Sequence, residues 1–279
     1  MIIDFRLKPP IKPFSSMKIY TEIEQFDAEL GEPTDPAAMQ RDMKLLFREM
    51  DELGIVHAVC SGRALPDPRY STSNDDISAA VKQYPGKFTG FAAIDPRDAR
   101  KAVAETERSV KVLGLKGITL SLRFFNDPPM YADDPKLYLL YDYCQEEGIP
   151  LMLTLSNRLG RDMSYCHPLP VDHVARDFPW LTIIIQHGCW PWVTEVCGLC
   201  WSRQNVYLTT DFFGVRFPGH MEYVYAANTF LQDRILFGSA FPKRNLKLMV
   251  EANQALPFRP EVAEKYFYKN AARLLGLSD

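Results

Sequence analysis

Apolar and polar positions follow two alternating regimes along the chain. Short runs dense in β-branched and aromatic residues give way to longer stretches in which apolar side chains recur every three or four positions. Eight runs of the first kind are present: IIDFR (2–6), VHAVCS (56–61), FTGFAAI (88–94), KGITLSL (116–122), PLMLTLS (150–156), LTIIIQH (181–187), NVYLTTDF (205–212) and RILFGSA (234–240). Such nearly continuous apolar character predicts strands buried on both faces. Between them, Met43, Leu46, Phe47, Met50 and Leu53 hold helical spacing and meet Gly54, a helix stop. Similar stretches occupy roughly 74–85, 98–113, 135–147, 171–177, 191–203, 220–232 and 245–255. Eight strands alternating with eight helices predict an α/β protein, a (β/α)8 TIM barrel forming a single domain over residues 1–279. A doubly wound open sheet is the alternative, and no G-x-G-x-x-G loop is present to favour it.

The connections are unequal. Helix-to-strand links are short (Gly54 to Val56, Gly114 to Lys116, Gly148 to Pro150, Asp233 to Arg234), whereas strand-to-helix segments near 7–34, 123–134 and 157–170 are long. The elaborated loops therefore lie on the C-terminal face of the barrel, where enzymes of this architecture place their chemistry.

Composition narrows the class. A chain that is 47% hydrophobic and 24% charged can bury a large core and is not a disordered segment. A formal net charge of -3 supplies no overall basic field, which argues against nucleic acid as a partner. The opening MIIDFRLKPPIKPF meets a proline pair too early for a secretory signal or a membrane span, so a cytoplasmic protein is expected. Cys60, Cys144, Cys166, Cys189, Cys197 and Cys200 show no small-scaffold spacing, which fits free thiols, with disulfides a lesser alternative.

Candidate chemistry gathers at the strand ends. Asp4, Arg6 and Lys8 alternate at the end of the first run, Arg63 follows the second, Arg123 the fourth, and Lys243 with Arg244 the eighth. Each alone reads as a surface charge; together they predict a locally positive mouth for a small carboxylate. His187 closes the sixth run and Asp211 ends the seventh, a candidate acid/base residue and its partner. Asp95 reads as a helix cap or a site residue, His57 as structural, and His167 as a possible mouth residue. His173 and His220 read as helix-start arrangements. Cys197-x-x-Cys200 falls on a predicted helix and reads as two ordinary helix cysteines.

The segments IIDFRLKPP, REMDELGIVHAV, QYPGKFTGFAAIDP, GLKGITL, DDPKLYLLYDYCQEEGIPLML, DFPWLTIIIQHGCWPW, NVYLTTD, DRILFGSAFP and KNAARLLGL, in this order, span nearly the whole chain. They resemble the amidohydrolase-related branch of the amidohydrolase superfamily, which includes aminocarboxymuconate semialdehyde decarboxylase and the hydroxybenzoate decarboxylases. The resemblance implies a β/α barrel and, in members that bind a metal, a D-x-H-x-H motif on the first strand. Here those histidine positions are Arg6 and Lys8, the fifth-strand histidine position is Thr154, and the carboxylate of the G-S-D motif is Ala240; only His187 remains. One imidazole does not make a selective zinc site, so no catalytic metal and no cofactor are expected.

The expected activity is that of a metal-independent hydrolase or decarboxylase acting on a small carboxylated, aromatic or lactone compound, with isomerisation also open. Arg6 and Lys8 anchor the anion, Arg63, Arg123 and Thr154 assist, and His187 moves a proton beside Asp211. Two alternatives stand beside it: an inactive family member kept as an anion-binding or interaction protein, and an unusual metal site built from His187, His167, Asp211 and Cys189. The resemblance also suggests a homodimer, for which Tyr138, Tyr141, Tyr143, Trp190, Trp192 and Trp201 are candidate interface aromatics, with core packing an equal account.

Overall fold

The computed structural model of the chain describes residues 1–24, 30–156 and 162–277. Eight parallel strands form one sheet in sequential order: β1 (Ile2–Asp4), β2 (Ile55–Ser61), β3 (Phe88–Ala93), β4 (Gly117–Leu120), β5 (Leu151–Thr154), β6 (Ile183–Gln186), β7 (Val206–Thr209) and β8 (Ile235–Leu236). The eighth strand returns to the first. Phe5 N–H donates to the Phe237 carbonyl at 2.8 Å, Lys8 N–H donates to the Phe241 carbonyl at 3.1 Å, and Leu7 bridges Phe241. The predicted TIM barrel is the observed one. Most strands are shorter than the apolar runs that contain them, because the last residues of those runs leave the ladder and build the mouth.

Two apolar layers follow from the two-residue period of the strands. Ile3, Phe5, Val59, Phe91, Met152, Ile184 and Leu236 pack together inside the barrel, with Phe5 and Phe91 edge to face at 6.1 Å. Their strand neighbours, among them Ala58, Cys60, Ala92, Ile183, Ile185 and Ile235, join the larger cluster between sheet and helices. Burying each large side chain of these layers contributes on the order of 1.5–3 kcal/mol. The lower barrel is therefore a packed plug, and polar residues appear where each strand ends.

The predicted helices are present at Met43–Glu52, Asn74–Gln83, Ala99–Glu107, Tyr138–Glu146, Leu169–Asp177, Val193–Ser202, His220–Ala227 and Leu246–Gln254. Asp42, Ser73, Asp98 and Asn245 each accept from a first-turn N–H, satisfying donors that would otherwise be orphaned. The periodicity did not reveal the closing segment, helical over Pro260–Glu264 and Asn270–Leu275 with a wider turn at Lys265–Lys269 between them. Ala271 and Ala272 of that segment pack onto the interior cluster from below. The long loops at 7–34 and 157–170 are partly outside the described residues, at 25–29 and 157–161.

All six cysteines are buried free thiols. Among the described residues no helix is long and apolar enough to cross a membrane. Of the aromatics proposed for an interface, Tyr141 is buried and donates to the Ala132 carbonyl, Tyr138 packs on Phe178, and Trp190 stacks on Phe213. Trp201 stays exposed.

Candidate active site

The mouth of the barrel is a single cleft of about 720 Å³, including its open entrance. Arg6, Lys8, Arg63, Arg123, Thr154 and His187 all line it, from five different strand ends. No aspartate or glutamate is among its lining residues within the described part of the chain. Strand β1 sets the first two cations: its ladder continues past Asp4 through Phe5, Leu7 and Lys8 to β2 and the segment after β8. Gly238 permits the crowding there, since a Cβ on it would lie 2.9 Å from the Arg6 Cβ and 3.1 Å from that of Asp211.

His187 and Asp211 form a dyad under the floor of the cleft. Nδ1 of the imidazole lies 2.7 Å from Asp211 Oδ1, the contact that pairs the two residues. Asp211 also accepts from the His187 backbone N–H at 2.9 Å and from the Thr209 hydroxyl at 2.8 Å, and from the Phe212 N–H. The second ring nitrogen, Nε2, lies 3.4 Å from an Arg6 guanidinium nitrogen.

The backbone that presents these groups is strained: His187, Cys189, Asp211 and Ala240 have φ of 67°, 55°, 27° and 63°, a region costly for side-chain-bearing residues. Three strand ends are thus forced into tight turns that aim side chains inward. The turn after β6 is pinned by Tyr223, whose hydroxyl donates to the Gly188 carbonyl at 2.8 Å; a Cβ on Gly188 would meet that hydroxyl at 2.5 Å.

Burial and neighbouring charge set the protonation states. Burial pulls the His187 imidazole down to about 4, with Asp211 opposing and Arg6 and Arg123 adding to the effect, so it is neutral at pH 7. Burial pushes the Asp211 carboxyl upward, but His187 and Arg6 together outweigh it and hold it well below the ordinary carboxylate range. Asp4, which accepts from Arg6 N–H and Ser239 N–H, is raised by burial to about 6. Lys8 is lowered well below its ordinary value by burial and by Arg6 and Arg63. Burial and neighbouring guanidinium charge bring Arg123 down to about 9, and burial with Arg6 brings Arg63 down to about 10. Burial is the first cause of each cation's shift; neighbouring cations add to it at Lys8, Arg63 and Arg123, and the Asp211 carboxylate opposes it at Arg6 and Arg123.

What holds the cations is not carboxylate. Lys8 Nζ donates to the Ser61 carbonyl, contacts the Ser61 hydroxyl at 3.4 Å and lies over Phe14 at 5.3 Å. Arg63 and Arg123 share one aromatic platform, lying 5.3 and 4.6 Å from the Phe124 centroid. Thr154, the last residue of β5, donates to Gln186 on the neighbouring strand at 2.9 Å.

Several strand-end charges do not join the site. Arg244, grouped with Lys243 in the sequence, is separated from it: Lys243 lines the cleft, while Arg244 is buried against Glu32 at 2.6 Å. Asp95 caps no helix, the next one being capped by Asp98; it accepts from the Arg97 N–H and pairs with the Arg97 side chain at the surface. His57 bonds the Gly86 carbonyl and Thr89 as a structural histidine, and His167 packs on Trp192 outside the cleft. His173 pairs with Asp133, and His220 contacts the Phe217 carbonyl. Ser61, Ser121 and Ser156, which the sequence reading passed over, line the cleft with Phe212 and Phe213. The three serines could have been found, since each ends or closely follows an apolar strand.

The amidohydrolase family model matches residues 43–277. The chain belongs to the amidohydrolase family. An uncharacterized TIM-barrel protein from Bordetella bronchiseptica is 38% identical, with a TM-score of 0.93 over 99% of this chain and 98% of that one. The 2,6-dihydroxybenzoate decarboxylase from Rhizobium shares the fold at 18% identity, with a TM-score of 0.72 over 99% and 98% of the two chains. The 2-amino-3-carboxymuconate-6-semialdehyde decarboxylase of Dictyostelium discoideum is 26% identical over 97 residues, which make up 35% of this chain and 26% of that protein.

A dihydroxybenzoic acid decarboxylase from Polaromonas, 18% identical with a TM-score of 0.73 over 99% of this chain and 97% of that one, was solved with bound manganese. The residues of the present mouth do not fit such an ion. Among the described residues no three His, Cys, Asp or Glu side chains are grouped to hold a metal. At the mouth His187 and Asp211 are engaged with each other, and the groups facing the space beside them are cations. His167 and Cys189 do not complete the alternative metal site: neither is among the cleft's lining residues, and His167 packs on Trp192.

Proposed function

We propose that this amidohydrolase-family protein is a metal-independent enzyme acting on a small carboxylated compound, an aromatic acid or a lactone. The observation that carries the reading is the convergence of Arg6, Lys8, Arg63 and Arg123 with a neutral His187 on one cleft, with no carboxylate among its described lining residues. A cleft open to a ligand and still equipped with a proton-transfer dyad favours an enzyme over an inactive binding protein.

Hydrolysis suits this dyad best. With Asp211 ionised at the Nδ1 side, Nε2 carries the lone pair and acts as a general base toward the cleft. It takes a proton from water as the water oxygen bonds to the carbonyl carbon, and Arg6 stabilises the oxyanion that forms. Collapse breaks the bond to the leaving oxygen, which takes the proton back from His187. Thr154 and the serines orient the substrate by hydrogen bonds, and Phe212 and Phe213 cover its apolar face.

Decarboxylation is the second reading, favoured by the names of the relatives. There the electron pair released from the C–C bond passes into the substrate's own ring or carbonyl, the cations stabilise the negative charge that builds up, carbon dioxide leaves, and His187 must first acquire the proton it delivers to carbon.

The test is a turnover screen of chelator-treated enzyme with carboxylated lactones and hydroxybenzoates, followed by absorbance and by carbon dioxide release. His187→Asn is expected to reduce turnover by roughly 10²–10⁴-fold while leaving thermal unfolding close to that of the parent. Unchanged turnover in that variant removes His187 from the mechanism.

A further inference from the structure

We infer that the ligand of this cleft carries two separate carboxylates, one received by Arg6 and Lys8 and the other by Arg63 and Arg123. The inference rests on the proposed function and narrows its substrate class to small dicarboxylates.

The first argument is one of unmet hydrogen bonding. Nε of Arg6, Nε of Arg63, and both Nε and one terminal nitrogen of Arg123 are buried and have no acceptor among the described residues. Buried guanidinium donors are ordinarily paired, because leaving them bare forfeits the hydration they had in the unfolded chain. A single carboxylate neutralises one positive charge and fits one guanidinium fork. It leaves the donors of the other station as they were.

The second argument is how the cations are held. Phe124 lies under both Arg63 and Arg123, so the ring fixes the guanidinium groups without neutralising them. Lys8 is fixed in the same manner by Phe14 and the Ser61 carbonyl. The two stations are set by different residues around one rim. Arg6 and Lys8 follow β1, whereas Arg63 and Arg123 follow β2 and β4 and meet over the ring of the turn Leu122–Phe124. Charge preorganised at two places selects a ligand whose own charge is at two places.

Calorimetric titration of the full-length protein with benzoate, the three benzenedicarboxylate isomers and phenyl phosphate tests this. The best dicarboxylate isomer is expected to bind about tenfold or more tightly than benzoate and than phenyl phosphate, which concentrates its charge at one point. In Arg63→Gln and Arg123→Gln, the preference for that isomer over benzoate should shrink to about one- to threefold. The ligand series on the unaltered protein stands even if a variant fails to fold. Benzoate binding as tightly as every dicarboxylate overturns the two-station inference and leaves the proposed function in place. So does phenyl phosphate matching the best isomer. Failure of all five ligands to bind overturns both.

Discussion

Two arginine corners at the same barrel rim show what separates a structural charge from a functional one. Arg244 is buried, forks onto Glu32 with contacts of 2.8 and 2.6 Å, and donates to the Phe212 carbonyl. Arg123 is also buried, lies on a phenylalanine ring as Arg244 does, and leaves two nitrogens without an acceptor among the described residues. The first corner is complete and ties the loop carrying Glu32 to the segment after β8. The second is incomplete, and under the proposed function an incomplete buried cation beside an open cleft is where an anionic ligand would bind. In this family scaffold the comparison extends to β1, where Arg6 and Lys8 line a cleft that has no carboxylate among its described lining residues.

The comparison can be broken at either corner. The largest effect is expected for Glu32→Gln, which strands a buried guanidinium and should cost about 3–5 kcal/mol in denaturant unfolding. Arg123→Gln should change unfolding by about 1 kcal/mol or less, and can stabilise the free protein by relieving repulsion, while weakening dicarboxylate binding roughly 10–100-fold. Equal stability losses in the two variants would contradict the distinction.

A smaller and more local effect is the protonation of His187. Burial lowers its folded-state value from 6.5 to about 4, so the imidazole stays neutral as pH falls through 6 and 5 and takes its proton only near 4. The unfolded chain binds that proton near 6.5, so this group withdraws stability as pH falls between those two values. Imidazole resonances of His187 followed by NMR should move near pH 4, and movement near 6.5 would show that the dyad is open to solvent. Smallest is the response to salt: affinity for a dicarboxylate should fall only a few-fold from low to high ionic strength, because charges in a narrow cleft are screened less than surface ones. A steep salt dependence would place the binding cations at the surface.

Much of this was legible in the sequence. Strand order and the face bearing the site followed from the apolar runs and unequal connections, because a barrel repeats one simple pattern that local residues dictate. His187, Asp211, Arg6, Lys8, Arg63, Arg123 and Thr154 were legible as strand-end residues, and all but Asp211 line the cleft, with Asp211 beneath it. The closing helices were not read because Leu256, Pro257 and Pro260 interrupt the pattern and the wide turn Lys265–Lys269 shifts its register away from 3.6. Arg244 could not be told from Lys243, since its partner Glu32 is 212 residues away. The Phe124 platform was hidden for the same reason: which ring lies under which guanidinium depends on how separate loops pack, and no spacing encodes it.

The central claim is that side-chain positive charge does at this mouth what an inorganic ion does in the manganese-bound neighbour. The most direct measurement is calorimetry of the best-binding dicarboxylate with protein stripped by chelator, repeated after adding manganese. The account predicts the same affinity before and after, with no manganese retained on dialysis. Binding that vanishes on stripping and returns with the metal would contradict it.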